Sequence, residues 1–252
     1  MANALVTGAS RGIGRAVAQA FARRGDRVVV HYGTDRAAAE QTLASLDGSG
    51  HAIVGGDLGD PAGAQNVVDA AVAALGSLNI LVNNAAVAPS AANEHRVDSA
   101  SFEDWQQAWS SMVAVNLVGA SNVTTLVAQH MIAQGGGGAI VNIGSRGAFR
   151  GEPDHPAYAA TKAGLQALGQ SLALVLAPHG ISVTSVAPGM IATERQAPKL
   201  EGAGGDGIRG QSPFDRVGTP EEVAAAVAYL TSPEAVWASG TVLDLNGASY
   251  FR

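Results

Sequence analysis

The sequence predicts an α/β protein built on one doubly wound parallel sheet of about seven strands, with helices on both faces. Three observations carry that expectation. Short runs rich in apolar and β-branched residues recur along the chain, helix-like stretches separate them, and a glycine-rich turn follows the first run. Runs that are apolar on both faces, each followed by a helix, belong to a parallel sheet covered on both sides.

The strand-like runs are ALVT (4–7), VVVHY (28–32), AIVGG (52–56), ILVNN (80–84), AIVNIG (139–144), SVTSVA (182–187) and TVLDL (241–245). Between them lie GRAVAQAFARRG, RAAAEQTLASL, AQNVVDAAVAAL, the long FEDWQQAWSSMVAVNLVGASNVTTLVAQHM and EEVAAAVAYL, all with helical spacing of apolar residues. No linker divides the alternation, so one domain over 1–252 is expected. Two segments break the rhythm. Residues 86–101 and 194–213 are rich in Gly, Pro and small polar residues and read as loops. Long loops in a compact domain are usually functional, and both follow strand ends, where such sheets bind ligands. A substrate lid is expected at about 190–215.

Composition narrows the function. Of 252 residues 47% are hydrophobic and 14% charged, against a usual charged share of about 25%, so unusually much surface must be buried inside the fold or between subunits, which hints at an oligomer. A formal charge of −6 with scattered Lys and Arg argues against nucleic acid or anionic membrane as partner and leaves a small molecule. With no cysteine there is no disulfide, thiolate metal site or cysteine nucleophile, and the six histidines lack metal-ligand spacing, so no metal is expected. The first residues enter a strand pattern without a leader-like segment, and no apolar run approaches the ~18 residues of a membrane span. A cytoplasmic protein is the expectation.

Directly after the first strand comes TGASRGIG (7–14), then a helix. Gly8, Gly12 and Gly14 there supply a tight turn, close backbone approach to a pyrophosphate and close helix packing, with the helix N-terminus facing the phosphate. The Gly-Lys-Ser/Thr of a nucleotide triphosphatase is missing.

A second pattern is HPAYAATKAGLQALGQ (155–170). Pro156 marks a helix entrance, and Tyr158, Lys162, Leu165 and Leu172 share one face. An unpartnered ammonium on an apolar stripe is costly. Taken alone, the pair also reads as a core tyrosine beside a lysine whose stem covers apolar surface. The functional reading is that Lys162, one turn and ~6 Å of rise away, stabilises the phenolate of Tyr158 and lowers its pKa from about 10.

TGASRGIG, NNAA (83–86), Ser145 in VNIGS, YAATK (158–162) and PGMIAT (188–193) fall in the order and spacing of the short-chain dehydrogenase/reductase family, which the chain resembles over its whole length. RVGTPEEVAAAVAYL and LDLNG resemble the 3-oxoacyl-carrier-protein reductases and glucose dehydrogenases within it. The resemblance implies a Rossmann fold, a homotetramer and hydride transfer between a nicotinamide and a ketone or secondary alcohol. It implies that Tyr158 is the acid/base, that Ser145 polarises the carbonyl, that Lys162 tunes Tyr158 and binds the nicotinamide ribose, and that Asn116 maintains a proton relay to the lysine. It implies cofactor contacts at Gly8, Ser10, Arg11, Gly12, Ile13, Gly14, Tyr32 and Thr34. Asp57 and Leu58 should flank the adenine, and Asn83 and Ala85 should line the cleft. Pro188, Gly189, Ile191 and Thr193 should meet the nicotinamide end.

NADP(H) is expected over NAD(H). Tyr32 stands where NAD-selecting members carry an acid, and Arg11 matches the basic position that holds a 2′-phosphate, with Thr34 and Arg36 as further donors. Asp35, beyond Gly33, is the counter-argument. Ala86 and Gly144 depart from the family's usual glycine and serine and are expected to reshape the substrate side. His155 is expected at the pocket mouth. The segments QGGGGAIV (134–141) and LAPHGIS (176–182) carry no Lys or Arg, so docking of an acidic carrier should be weak and free small substrates preferred. The alternatives are a 3-oxoacyl-carrier-protein reductase and, in another class, a non-catalytic dinucleotide sensor, against which the intact Ser145, Tyr158, Lys162 and Asn116 set speaks.

Overall fold

Each apolar run becomes a strand, with ends within one residue of those expected: β1 (Asn3–Val6), β2 (Arg27–Tyr32), β3 (Ala52–Gly55), β4 (Ile80–Asn83), β5 (Gly138–Ile143), β6 (Ile181–Pro188) and β7 (Val242–Leu245). In this computed structural model, which describes every residue but Ala203, they form one parallel sheet in the order β3-β2-β1-β4-β5-β6-β7. β1, β4 and β6 are buried at every position. That is why they lack the alternation of a half-exposed strand.

The helices are α1 (Gly12–Arg23), α2 (Arg36–Ala44), α3 (Pro61–Leu75), α4 (Phe102–Val113), α5 (Ala120–Gln134), α6 (Gly147–Arg150), α7 (Pro156–Leu176), α8 (Ala197–Glu201), α9 (Gly205–Arg209) and α10 (Pro220–Leu230). Local signals fix their starts. Asp60 accepts from Ala62 and Gly63 ahead of Pro61, and Thr219 with Glu222 makes a reciprocal capping box ahead of Pro220. Each such cap contributes about 1 kcal/mol. One core layer packs α1 and α10 on one face of the sheet, around Phe21, Val17, Val223 and Val227. The other packs α3, α5 and the end of α7 on the opposite face, around Val67, Val127, Met131 and Leu176.

The chain winds outward from β1 to β3, then returns to the far side of β1 with β4. The loops after β1 and β4 therefore leave in opposite directions and open a crevice at their carboxyl ends. The glycine loop and NNAA meet at those ends, with Asn84 Nδ2 donating to Gly8 O.

Three expectations change. The central helix is not uniform: α4 and α5 are joined by a π-helical stretch, Ala114–Gly119. A Cβ on Gly119 would lie 2.3 Å from Leu58 O, so the glycine lets the helix approach the loop after β3. The continuous Phe102–Gln134 stretch is also long and apolar enough to cross a membrane by length and composition, although no such run was expected. Its Val123, Val127 and Met131 are core residues of the sheet's second face. Finally, the 194–213 segment carries α8 and α9 rather than loop alone. Both are one-turn helices too short for periodicity to register.

Candidate active site

The glycine loop is a backbone cradle. Gly8 and Gly12 have φ of 62° and 54°, a region that favours glycine. A Cβ on Gly8 would lie 2.8 Å from Ala85 Cα, and one on Gly14 would lie 2.4 Å from Gly8 O. Arg11, the N-cap of α1, makes no side-chain cap bond, and the first turn has no acidic residue. The first amides of α1 thus keep their donors for an anion. These features fit the pyrophosphate of a dinucleotide.

Side chains behind the loop hold it in place. Thr7 Oγ1 accepts from Asn84 N at 2.9 Å and Ala85 N at 3.1 Å, and Asn84 Nδ2 donates to Thr7 O and Gly8 O, both at 2.9 Å. Buried His31 accepts from Gly8 N on Nδ1 at 3.0 Å and contacts Gly56 O through Nε2 at 3.0 Å. That arrangement needs a neutral imidazole protonated on Nε2, and burial pushes its pKa down accordingly. The sequence reading named none of Thr7, His31 and Asn84 as site residues; only NNAA carried a signal for Asn84.

At the end of β5 the chain turns through Gly144 and Ser145 beside α7. Ser145 Oγ accepts from Gly147 N at 3.0 Å and lies near enough to the Tyr158 hydroxyl to pull its pKa down. Lys162 is buried; its Nζ donates to Ile143 O at 2.7 Å and lies 5.8 Å from the centroid of the Tyr158 ring. Burial pushes the Tyr158 phenol up to about 12, against the opposing pull of Ser145, and pushes the Lys162 ammonium down to about 8. From sequence alone, Lys162 is expected to draw the phenol down. In this structure the desolvation of both groups wins.

Asn116 sits in the π-helical stretch and is buried. Its Oδ1 accepts from Val87 N at 2.7 Å, and its Nδ2 donates to Val87 O at 3.1 Å and Thr161 Oγ1 at 3.3 Å. It ties the segment after NNAA to α7. α7 lacks a side-chain cap of its own, but His95 Nε2 accepts from Ala157 N at 3.0 Å, so the 86–101 segment supplies one. His155 contacts Ser90 O at 3.0 Å and is buried, which fastens that segment rather than leaving the ring at a pocket mouth. Gly144 also has a packing reason: a Cβ there would lie 2.2 Å from Gln166 Nε2.

Residues 8–247 match the family profile described as enoyl-(acyl carrier protein) reductase. The chain is 36% identical to a short-chain type dehydrogenase/reductase of Picea abies, over 97% of this chain and 90% of that one. The chain belongs to the short-chain dehydrogenase/reductase family. It is 37% identical to an L-rhamnose 1-dehydrogenase (NAD(P)(+)) of Azotobacter vinelandii, over 98% and 95% of the two chains. A crystal structure of a short-chain dehydrogenase from Burkholderia cenocepacia J2315 in complex with NADP superimposes with a TM-score of 0.87 at 33% identity, covering 98% and 97%. The sheet described above is the Rossmann arrangement of these dehydrogenases.

Within this short-chain dehydrogenase/reductase the other expected cofactor residues divide. Tyr32 closes β2, with its ring against Gly55, and Thr34 is exposed beyond it. Ser10 is buried, its carbonyl held by Arg15 and Thr42, while Ile13 packs on the core. Asp57 is exposed, but Leu58 turns into the core. Asn83 is buried inside the sheet, donating to Thr124 Oγ1 at 2.7 Å and Asn142 Oδ1 at 2.9 Å, so its side chain braces β4 instead of lining the cleft. Ala85 does face the glycine loop. Pro188 O accepts from Arg146 N, and Gly189 N donates to Leu245 O. Ile191 is buried and bridges Gly218, closing the base of the 194–213 segment, and Thr193 Cγ2 stands 3.2 Å from where a Cβ of Gly12 would be. Arg15 pairs with Glu194 at 3.0 Å across the same junction.

Arg11 and Asp35 form an ion pair at 2.5 Å, and Asp35 also caps α2 through Ala38 N. The acid beyond Gly33 therefore faces the guanidinium of the glycine loop.

Proposed function

We propose that this short-chain dehydrogenase/reductase interconverts a ketone and a secondary alcohol of small, free substrates with NADP(H) as preferred cofactor. The observation that carries the reading is the meeting of Ser145, Tyr158 and Lys162 at the end of β5, next to the cradle after β1. In reduction the substrate oxygen sits between Ser145 Oγ and the Tyr158 hydroxyl. A nicotinamide dinucleotide held by the glycine loop and Lys162 would supply the hydride to the carbonyl carbon. Tyr158 gives its proton to the oxygen as negative charge develops there, and Ser145 donates a hydrogen bond to the same oxygen. In oxidation Tyr158 takes the hydroxyl proton back. Lys162 keeps its ammonium against Ile143 O, where it lies beside the cleft as a donor for the ribose. Asn116 holds the floor of the cleft to α7, and the proton relay through it belongs to this proposal.

Support for NADP(H) is Arg11 at the edge of the cradle, Tyr32 in place of an acid, and the NADP-bound Burkholderia relative. Asp35 moderates the preference, because a 2′-phosphate must take Arg11 from it. The family profile's description names a carrier-bound substrate, but the turns preceding β5 and β6 present Gly135, Gly136, Gly137 and His179 with no Lys or Arg. A free substrate suits that surface better than an acidic carrier. Exposed Leu174 and Val175 on α7 and Trp237 before β7 support assembly into a homotetramer, and a cytoplasmic location completes the reading.

A panel of ketones, sugars, alcohols and free acyl thioesters followed by nicotinamide absorbance with both cofactors tests this. We expect turnover of at least one free carbonyl or alcohol with higher kcat/KM for NADP(H). No turnover across the panel, or turnover only on a carrier-bound substrate, contradicts the reading.

A further inference from the structure

Among the described residues three charged side chains are buried: Asp26, Lys162 and Arg146. Asp26 pairs with Arg24 at 2.6 Å, and Lys162 belongs to the site above. Arg146 has no such account. It follows Ser145, yet its backbone N–H donates to Pro188 O on β6, and its guanidinium runs toward the end of β7. Its two terminal nitrogens donate to Ser249 Oγ and Gln211 Oε1, both neutral, and it takes part in none of the ion pairs among the described residues. Arg150 and Glu152 act on it from the α6 side with opposite signs, and burial pushes its pKa down. A buried guanidinium facing only neutral acceptors is electrostatically incomplete.

Arg146 lines a cavity of about 440 Å³ beneath the lid, within the ~300–1,000 Å³ range of small-molecule sites. Met190, Ile208, Phe214 and Leu245 form apolar walls, while Arg146, Gln211 and Ser249 gather at a polar end. The other wall cation, Arg216, is already paired with Glu222 through bonds of 2.6 and 2.9 Å. Ser145, Tyr158, Lys162 and the glycine loop are not among the lining residues.

We propose that this cavity binds a small organic carboxylate with an apolar body, separately from the carbonyl substrate. The carboxylate takes the two terminal nitrogens of Arg146 from Ser249 and Gln211, replacing neutral acceptors with a charged one that a guanidinium matches with two parallel bonds, and the body lies against Ile208 and Phe214 of the lid. The occupant therefore joins the lid to the end of β7 and stabilises the folded chain by mass action.

Thermal unfolding and calorimetry with hexanoate as probe and hexanamide as its neutral counterpart test the assignment without turnover. Hexanoate should raise Tm with increasing concentration and bind at least about tenfold tighter than hexanamide, a difference of about 1.4 kcal/mol. Arg146→Gln should erase that difference. Ala225→Phe, at an exposed α10 position on the cavity wall, should weaken hexanoate about tenfold or more and decides the matter where Arg146→Gln does not fold. Equal binding of the two probes, no binding, or unchanged affinity in Ala225→Phe overturns the proposal. Competition between hexanoate and the carbonyl substrate for one site overturns its separateness. A chain that binds hexanoate through Arg146 but turns over nothing would refute the oxidoreductase reading and leave this one standing.

Discussion

Lys162 donates to Ile143 O at 2.7 Å, on the strand that ends one residue before the turn bearing Ser145. The bond fixes the ammonium but brings no negative charge to it, and burial lowers its pKa from 10.5 to about 8. Between those values the unfolded chain binds the proton that the folded chain has released, so stability rises with pH across about 8 to 10.5. Below the window both states are protonated, and the penalty is carried in full. Relative to Lys162→Met, wild type should gain up to roughly 3 kcal/mol between pH 7 and the top of the window. Loss of the Ile143 bond is independent of pH and cancels from that slope. Parallel denaturant titrations at several pH values check it; a flat difference contradicts the shift.

The Tyr158 phenol, pushed up to about 12, is neutral at pH 7 and ready to donate a proton. Carbonyl reduction should therefore vary little from about pH 6 to about pH 7, below the Lys162 titration near 8, while kcat/KM for alcohol oxidation should climb with pH, following the phenolate fraction. A plateau of oxidation already at neutral pH would mean that the working complex lowers the phenol, as expected from sequence alone.

Asn116 makes three hydrogen bonds that tie Val87 to Thr161. Asn116→Ala leaves the half-buried Val87 N–H and C=O without them and should cost about 1–3 kcal/mol of stability, read as a lower denaturation midpoint. It should also lower kcat, because Thr161 lies one residue from Lys162. Unchanged kcat in a folded variant would reduce Asn116 to a structural brace.

Arg11 is shared between Asp35 and any 2′-phosphate. Arg11→Ala should reduce the NADP(H) preference about tenfold or more, the scale of a charge-assisted bond, and Asp35→Ala should raise it. Ratios of kcat/KM for the two cofactors measure both, and an unchanged ratio in either variant counts against this placement.

The sheet was legible because parallel strands buried on both faces are continuous apolar runs, and glycine punctuates the one loop that must approach phosphate. Tyr158 and Lys162 were legible because a lysine on an apolar stripe conflicts with local packing. What stayed hidden depends on contacts between distant segments. Nothing near His31 announces that its ring holds Gly8, and nothing near His95 announces that it caps α7 from another segment. Leu58 and Asn83 fell in the motif order of a cofactor cleft, but their side chains face the core and the sheet. The π-helical stretch has helical composition, and only the approach of Gly119 to Leu58 O distinguishes it.

The central claim is that the Tyr158 hydroxyl transfers the proton that accompanies the hydride. The most direct measurement is nicotinamide absorbance on the fastest panel substrate for wild type and Tyr158→Phe, with cofactor affinity determined in parallel. The variant removes the transferable proton and little volume, so kcat should fall by about a hundredfold to ten-thousandfold, with the cofactor Kd within about threefold of wild type. A Tyr158→Phe enzyme that binds cofactor and turns over within about tenfold of wild type, less than general acid–base catalysis contributes, would contradict the account.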